Sequence, residues 1–365
     1  MQPNKMRKRS GRGQKASKVV SATSHDVSTE RQPSWFGRCA RIFAKLVGAL
    51  CVFYYFMVPV AVRLYPGVLS HPSLSYVAPY LTDVSRPLDF ALNHTINFRL
   101  SPEKGISLGV WLTVQDSLSQ EAQGKDLEWY QQTIGNGAPV FIYLHGNTGN
   151  RGAKHRVGVV NVLSAAGFHV LAADYRGFGD STGEPTEAGL TTDAVHLYQW
   201  VKAHSGNSLV IMWGHSLGTG VSTNTAVKLQ ELGTPLDAVI LEGAFSRVPK
   251  AQAGMQHPFA WFYFRFPYFE YFFLDPMSKN KLTFPSAENV RKMRTPLLIL
   301  HSEDDHLCPP FMAQELYEIA RSSVDSEEHV KLVLFEGVHG YLHNGLYRDA
   351  RLPGILKEFV SSINA

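Results

Sequence analysis

Cysteine is scarce. With only Cys39, Cys51 and Cys308 in 365 residues, two of them in or beside an apolar run, no disulfide framework can be built. An oxidising compartment stays open, since a domain of this size folds without bridges. Concentrated positive charge is also missing from most of the chain. The first 45 residues hold eleven Lys/Arg against Asp26 and Glu30, and the remainder carries 24 basic and 29 acidic residues, a net of −5. That balance excludes a nucleic-acid surface on the globular part, because phosphate binding needs clustered cations. There is no internal repeat, and no low-complexity segment beyond the basic tail.

One long apolar run is present. Leu46 to Val62 is seventeen residues without a charge, bounded by Lys45 and Arg63, and counting back to Ile42 brings it to the minimum length that crosses a bilayer. The expected organisation is a disordered, cytosolic basic tail over 1–41, a single transmembrane signal-anchor over 42–62, a proline-rich tether over 63–94 and a catalytic domain over 95–365. The Lys/Arg excess before the span keeps the N-terminus cytosolic and sends the domain to the luminal or outer side. A cleaved signal peptide fits less well, because the apolar run starts some 45 residues in and no small-residue cleavage site follows it. The sequon Asn93-His94-Thr95 falls on the luminal side, so Asn93 is a candidate glycosylation site. Pro66, Pro72, Pro79 and Pro87 forbid a long helix in the tether, which either runs along the membrane surface or packs on the domain.

Beyond residue 95, short apolar runs alternate with helical stretches. Residues 106–114, 140–144, 169–174, 209–213, 238–242, 297–301 and 330–335 read as strands, and 152–166, 187–204, 217–231, 309–321 and 352–362 as helices. Several of the strands are apolar on both faces, which belongs to a mostly parallel sheet covered by helices on each side; the expected class is therefore doubly wound α/β. Residues 115–137 are polar and read as an excursion from the sheet.

Leu209-Val210-Ile211-Met212-Trp213 runs into Gly214-His215-Ser216-Leu217-Gly218 and then into a helical stretch. A serine on a sharp strand-to-helix turn needs small residues two positions either side, so that strand and helix can approach and the hydroxyl stands clear. Ser216 is therefore the candidate nucleophile, and the α/β-hydrolase fold the expected architecture. His145-Gly146-Asn147-Thr148-Gly149-Asn150 follows an early strand, and its Asn147 amide, with that of Leu217, is expected to form the oxyanion hole. In this fold the acid and the base follow the nucleophile along the chain. Three carboxylates, Glu303, Asp304 and Asp305, follow the strand 297–301; spacing to Cys308 and Pro309 selects Asp305, with Asp304 as runner-up. After the last strand His343 is preferred as base over His339. His339 and His343 have the spacing of a zinc helix, but Gly340 stands where the essential Glu belongs, so no metal is expected; nor is any cofactor. His215 is expected to pack, not to react.

Leu144-His145-Gly146-Asn147, Asp174-Tyr175-Arg176-Gly177-Phe178-Gly179-Asp180-Ser181, the run from Trp213 to Val221, Phe273-Leu274-Asp275-Pro276 and Pro296–His301 with Glu303-Asp304-Asp305 together resemble the α/β-hydrolase-domain-containing protein 12 family of membrane-bound lysophosphatidylserine and monoacylglycerol lipases. The resemblance runs from the basic tail almost to the C-terminus. It implies Ser216, Asp305 and His343 as a triad, an endoplasmic-reticulum membrane location and a luminal active site. The sequence departs from the family at His306 and Cys308, where members carry Pro and Val, and in the segment from Glu336 to Leu342.

Between residues 243 and 290 lies an insertion, and eleven of the nineteen residues from His257 to Asp275 are Phe, Tyr or Trp. A cap lining an acyl-chain pocket or touching the bilayer is the functional reading, and dense packing on the sheet the plain one. Arg151, Lys154, His155 and Arg156 either meet a charged head group or form a solvated helix start. The expected substrate is a lipid ester, a lysophospholipid or monoacylglycerol, cleaved through an acyl-enzyme. A protein acyl-thioesterase and a non-catalytic membrane-tethered interaction module are the alternatives.

Overall fold

The computed structural model describes residues 35–65, 83–246, 267–268, 271–272, 283–324 and 329–363. The basic tail up to residue 34, most of the expected tether (66–82) and most of the expected cap lie outside those residues. Two units are distinguished, Met1–Phe53 and Tyr54–Ala365.

The first helix, α1 (Trp35–Leu64), begins earlier than the expected anchor, at the first turns carrying Arg38 and Arg41. Its apolar part, Gly37–Ala61, is 25 residues long with a mean hydropathy of 1.8. At about 1.5 Å per residue that exceeds the ~30 Å bilayer core. Ile42, Phe43, Leu46, Leu50 and Phe53 are all exposed. Such a helix fits a single-pass membrane protein.

The catalytic fold is an eight-stranded sheet in the order β1-β2-β4-β3-β5-β6-β7-β8. Its strands are β1 (Thr95–Leu100), β2 (Leu108–Thr113), β3 (Val140–Leu144), β4 (His169–Ala173), β5 (Val210–His215), β6 (Ala238–Glu242), β7 (Leu297–Ser302) and β8 (Val330–Phe335). The first two pairings in that order differ from the rest: β1–β2 and β2–β4 are antiparallel, and every later pairing is parallel. Strand β1 was absent from the sequence expectation. Its signal was the alternation of Ile96, Phe98 and Leu100 with Asn97 and Arg99, the period of a half-buried edge strand.

Both faces of the sheet are covered, as the apolar strands demand. Along β3, Val140, Ile142 and Leu144 join one core while Phe141 and Tyr143 join the other. The first core takes Leu190, Leu197 and Val201 from α4 (Glu187–His204), Val221 and Leu229 from α5 (Leu217–Glu231), Val290 from α6 (Ser286–Lys292) and Leu316 from α7 (Pro310–Arg321). The second takes Val160 and Leu163 from α3 (Lys154–Ala165) and Leu356 and Phe359 from α8 (Leu352–Ile363). A further short helix, α2 (Leu127–Thr133), stands inside the polar excursion; Asp126 caps it by accepting the Trp129 amide at 3.1 Å. Residues 83–94 pack on the domain: Val84 and Leu92 are buried, and the Val84 carbonyl accepts the Trp111 indole N–H at 2.8 Å.

The chain crosses from β3 outward to β4 and then back to the other side of β3 as β5. The connections therefore diverge at the carboxyl ends of β3 and β5, where a crevice opens in sheets of this kind. The candidate nucleophile and the glycine-rich loop after β3 both sit there.

Candidate active site

Ser216 stands between β5 and α5 with φ 52° and ψ −117°, a conformation that costs a non-glycine residue on the order of 1–3 kcal/mol. What holds it is the packing of its neighbours. A Cβ on Gly218 would run into the Leu144 carbonyl, and one on Gly214 into the Gly218 carbonyl, so neither position tolerates a side chain. The Ser216 amide donates to the Glu242 carbonyl at 2.9 Å, tying the turn to the end of β6. The Ser216 carbonyl accepts from the Thr219 amide at 2.8 Å and its hydroxyl at 2.7 Å. Leu217 is the first residue of α5, so its amide has no acceptor within the helix and adds to the positive end of the dipole.

Asp305 and His343 meet 38 residues apart, with His343 Nδ1 2.7 Å from Asp305 Oδ2. Both are buried. The other carboxylate oxygen accepts the Leu307 and Cys308 amides, each at 2.9 Å. Burial alone would raise the Asp305 carboxyl; the hydrogen bond and charge of His343 and the Cys308 amide outweigh it and hold the group below the ordinary carboxylate range. The His343 ring lies against the end of β6, where a Cβ on Gly243 would be 3.1 Å from His343 Cε1. The preceding carbonyl, Glu242, is the one that receives the Ser216 amide, so nucleophile turn and imidazole share one strand end.

The two runner-up residues are occupied elsewhere. Asp304 accepts the Ser302 hydroxyl at 2.5 Å and the Leu342 amide at 2.9 Å, bracing the loop that leads to His343. His339 is exposed, stacks on Tyr341 with ring centroids 5.5 Å apart and lies 3.8 Å from Glu336. The zinc-like spacing of the two histidines is thereby undone, one being exposed and the other buried. Among the described residues no group of three His, Cys, Asp or Glu could hold a metal.

Three further buried groups stand around the site, and of these only Glu242 escaped the sequence reading. His215 packs as expected, and also places Nε2 3.0 Å from the His343 carbonyl; burial and the nearby His343 keep its imidazole neutral well below the ordinary range. Glu242 is buried with one oxygen 3.0 Å from the Trp213 indole nitrogen; burial, opposed by that hydrogen bond and aided by the charge of Asp305, lifts its carboxyl to about 7. Arg156 is buried in the first turn of α3 and bonds to the backbone of the loop 146–150.

Neither reading of the basic cluster survives for its arginines. Arg151 is fully buried, with Nη1 2.6 Å from Asp174 Oδ2 and 2.5 Å from Asp180 Oδ1, and Nη2 2.8 Å from Asn97 Oδ1. It is a structural cation, unable to meet a head group. The carboxylates that pair with it both come from the loop after β4, which the spacing along the chain does not reveal.

A family model described as the alpha/beta hydrolase fold matches residues 139–288. Lysophosphatidylserine lipase ABHD12 of Danio rerio is 44% identical over 326 residues, 88% of this chain and 84% of that protein. Protein ABHD12B of Homo sapiens is 46% identical over 286 residues, 78% of each. Among solved structures, the Pyrococcus furiosus esterase Pf2001 matches with a TM-score of 0.54 at 19% identity, covering 76% of this chain and 93% of that one. Est1E from Butyrivibrio proteoclasticus, bound to ferulic acid, matches at 0.53 and 19%, covering 73% and 98%. At such low identity these two bear on the fold alone. The sequence matches reach further, and by them the chain belongs to the α/β-hydrolase-domain-containing protein 12 family, a family of serine ester hydrolases.

Proposed function

We propose that this protein is a membrane-anchored lipase that cleaves the acyl ester of lysophospholipids, lysophosphatidylserine among them, and of monoacylglycerols, through a Ser216-Asp305-His343 triad. The observation that carries the reading is the buried 2.7 Å contact between His343 and Asp305 at the strand end that also receives the Ser216 amide. Asp305 fixes the imidazole with Nδ1–H toward the carboxylate, leaving Nε2 as the base, and stabilises the imidazolium that forms. Ser216 Oγ attacks the ester carbonyl as His343 takes its proton. The oxyanion is received by the amides of Asn147 and Leu217, together worth several kcal/mol in a site that excludes water. Collapse expels the glycerol alcohol, which takes its proton from His343, and leaves the acyl chain on Ser216. Water, deprotonated by His343, then releases the fatty acid.

The class of substrate rests on the relatives named for lysophosphatidylserine hydrolysis and on the aromatic stretch 257–275, which suits an acyl chain. The helix α1 would hold the enzyme in the endoplasmic-reticulum membrane, N-terminus cytosolic and catalytic domain luminal. Asn93, exposed with Oδ1 2.9 Å from His94 Nδ1, would then carry a glycan. A fluorophosphonate probe and lysophosphatidylserine turnover test the proposal on the full chain in detergent. The wild type should label and release fatty acid, and Ser216→Ala should do neither. Labelling that survives in Ser216→Ala would refute the triad; labelling without lysolipid or monoacylglycerol turnover would refute the substrate class and favour a thioesterase.

A further inference from the structure

The loop after β3 carries the proposed oxyanion donor in a backbone conformation that side chains disfavour. Thr148 has φ 66° and Gly149 φ 71°, so two consecutive residues are left-handed. The Arg156 guanidinium lies beneath them. Its Nη2 donates to the carbonyls of Gly146 at 3.0 Å, Asn147 at 3.4 Å and Thr148, and its Nη1 donates to the Asn150 carbonyl at 2.8 Å. Among the described residues no carboxylate stands within ion-pair distance of it. A buried arginine without an acid partner is costly unless many dipoles face it, and here four backbone carbonyls do.

We propose that Arg156 is a positioning residue for the ester hydrolysis, holding the peptide between Gly146 and Asn147 so that the Asn147 N–H points at the developing oxyanion. The reason is the planarity of the trans peptide, in which C=O and N–H point in opposite directions. Fixing the Gly146 carbonyl on the guanidinium therefore turns the Asn147 amide away from Arg156. The same carbonyl takes a second donor, His145 Nδ1 at 2.8 Å, so both its lone pairs are used. That peptide lies beside the nucleophile: a Cβ on Gly146 would be 3.1 Å from Ser216 Cβ. A cation on the carbonyl also polarises the amide and makes its N–H a stronger donor. This inference rests on the triad reading given above.

The test compares wild type, Arg156→Met, Arg156→Lys and Ser216→Ala, each as full chain in detergent with a soluble 4-nitrophenyl acyl ester. Arg156→Met should lower kcat on the order of 10²-fold, the scale of a lost oxyanion donor, while KM shifts less than about threefold. Arg156→Lys should fall between. Inhibition by an alkyl trifluoromethyl ketone, which binds as a tetrahedral oxyanion on serine, should weaken in proportion to the loss of kcat/KM across the series. Affinity for the matching secondary alcohol, which forms no oxyanion, should stay constant. If Arg156→Met does not fold, Arg156→Lys and restoration of kcat in Arg156→Gly by added ethylguanidine carry the comparison. A rise in KM at constant kcat, or ketone and alcohol weakening together, would overturn the inference. If Ser216→Ala keeps its activity, the triad reading itself fails, a result distinguishable from the first.

Discussion

Adjacent carboxylates divide the work around His343. Asp305 meets His343, whereas Asp304 ties Ser302 to Leu342. Asp305→Asn should therefore lower kcat by about three to four orders of magnitude, because the amide favours the wrong imidazole tautomer, while Asp304→Ala should stay within about tenfold and show its effect as a lower melting temperature. Steady-state kinetics on both variants separates the roles. Glu242 makes a second residue-level prediction. Its carboxyl sits at about 7 in the fold against an ordinary 4.5, so the folded state holds the proton more tightly than the unfolded chain. The stability this adds is complete below about pH 4.5 and is lost as pH rises through 7. Glutamine stays neutral throughout; the stability gain of Glu242→Gln over wild type should stay below about 1 kcal/mol at pH 5 and grow toward pH 8, reaching on the order of 3 kcal/mol. Melting curves across that range that run parallel for the two proteins would mean Glu242 is ionised at every pH.

At the scale of elements, the elbow depends on how closely α5, β5 and β3 approach. Gly218→Ala drives a methyl into the Leu144 carbonyl, a backbone atom in the middle of the sheet that cannot withdraw. A loss of at least about 2 kcal/mol is expected, together with loss of fluorophosphonate labelling if Ser216 is displaced. The junction of β4, β1 and α3 depends in the same way on Arg151. Removing the cation in Arg151→Met leaves the buried Asp174 with only His145 and the residue-151 amide to face it and should cost about 3–5 kcal/mol in chemical denaturation; adding Asp174→Asn should recover part of that. If the single and double variants are equally unstable, the Arg151–Asp174 pair is not what holds the junction.

For the whole molecule, the proposed anchor and luminal orientation make separate predictions. The full chain should remain with membranes after alkaline carbonate extraction, and removal of residues 1–64 should release the domain. A glycosidase-sensitive mass shift that disappears in Asn93→Gln would place the domain in the lumen. A sequon that stays unmodified in membranes from intact cells would favour a cytosolic domain, and with it the thioesterase alternative.

Much of this protein was legible from its residues in order. Strands apolar on both faces dictate a covered parallel sheet, and small residues flanking Ser216 dictate a tight strand-to-helix turn, because both are local consequences of side-chain size and period. Only the tertiary structure shows that Asp305 and not Asp304 meets His343, that His339 is exposed where His343 is buried, and that Arg151 and Arg156 are enclosed. Spacing along a loop does not encode which way a side chain turns; that direction follows from which backbone dipoles and charges the distant strands bring within reach.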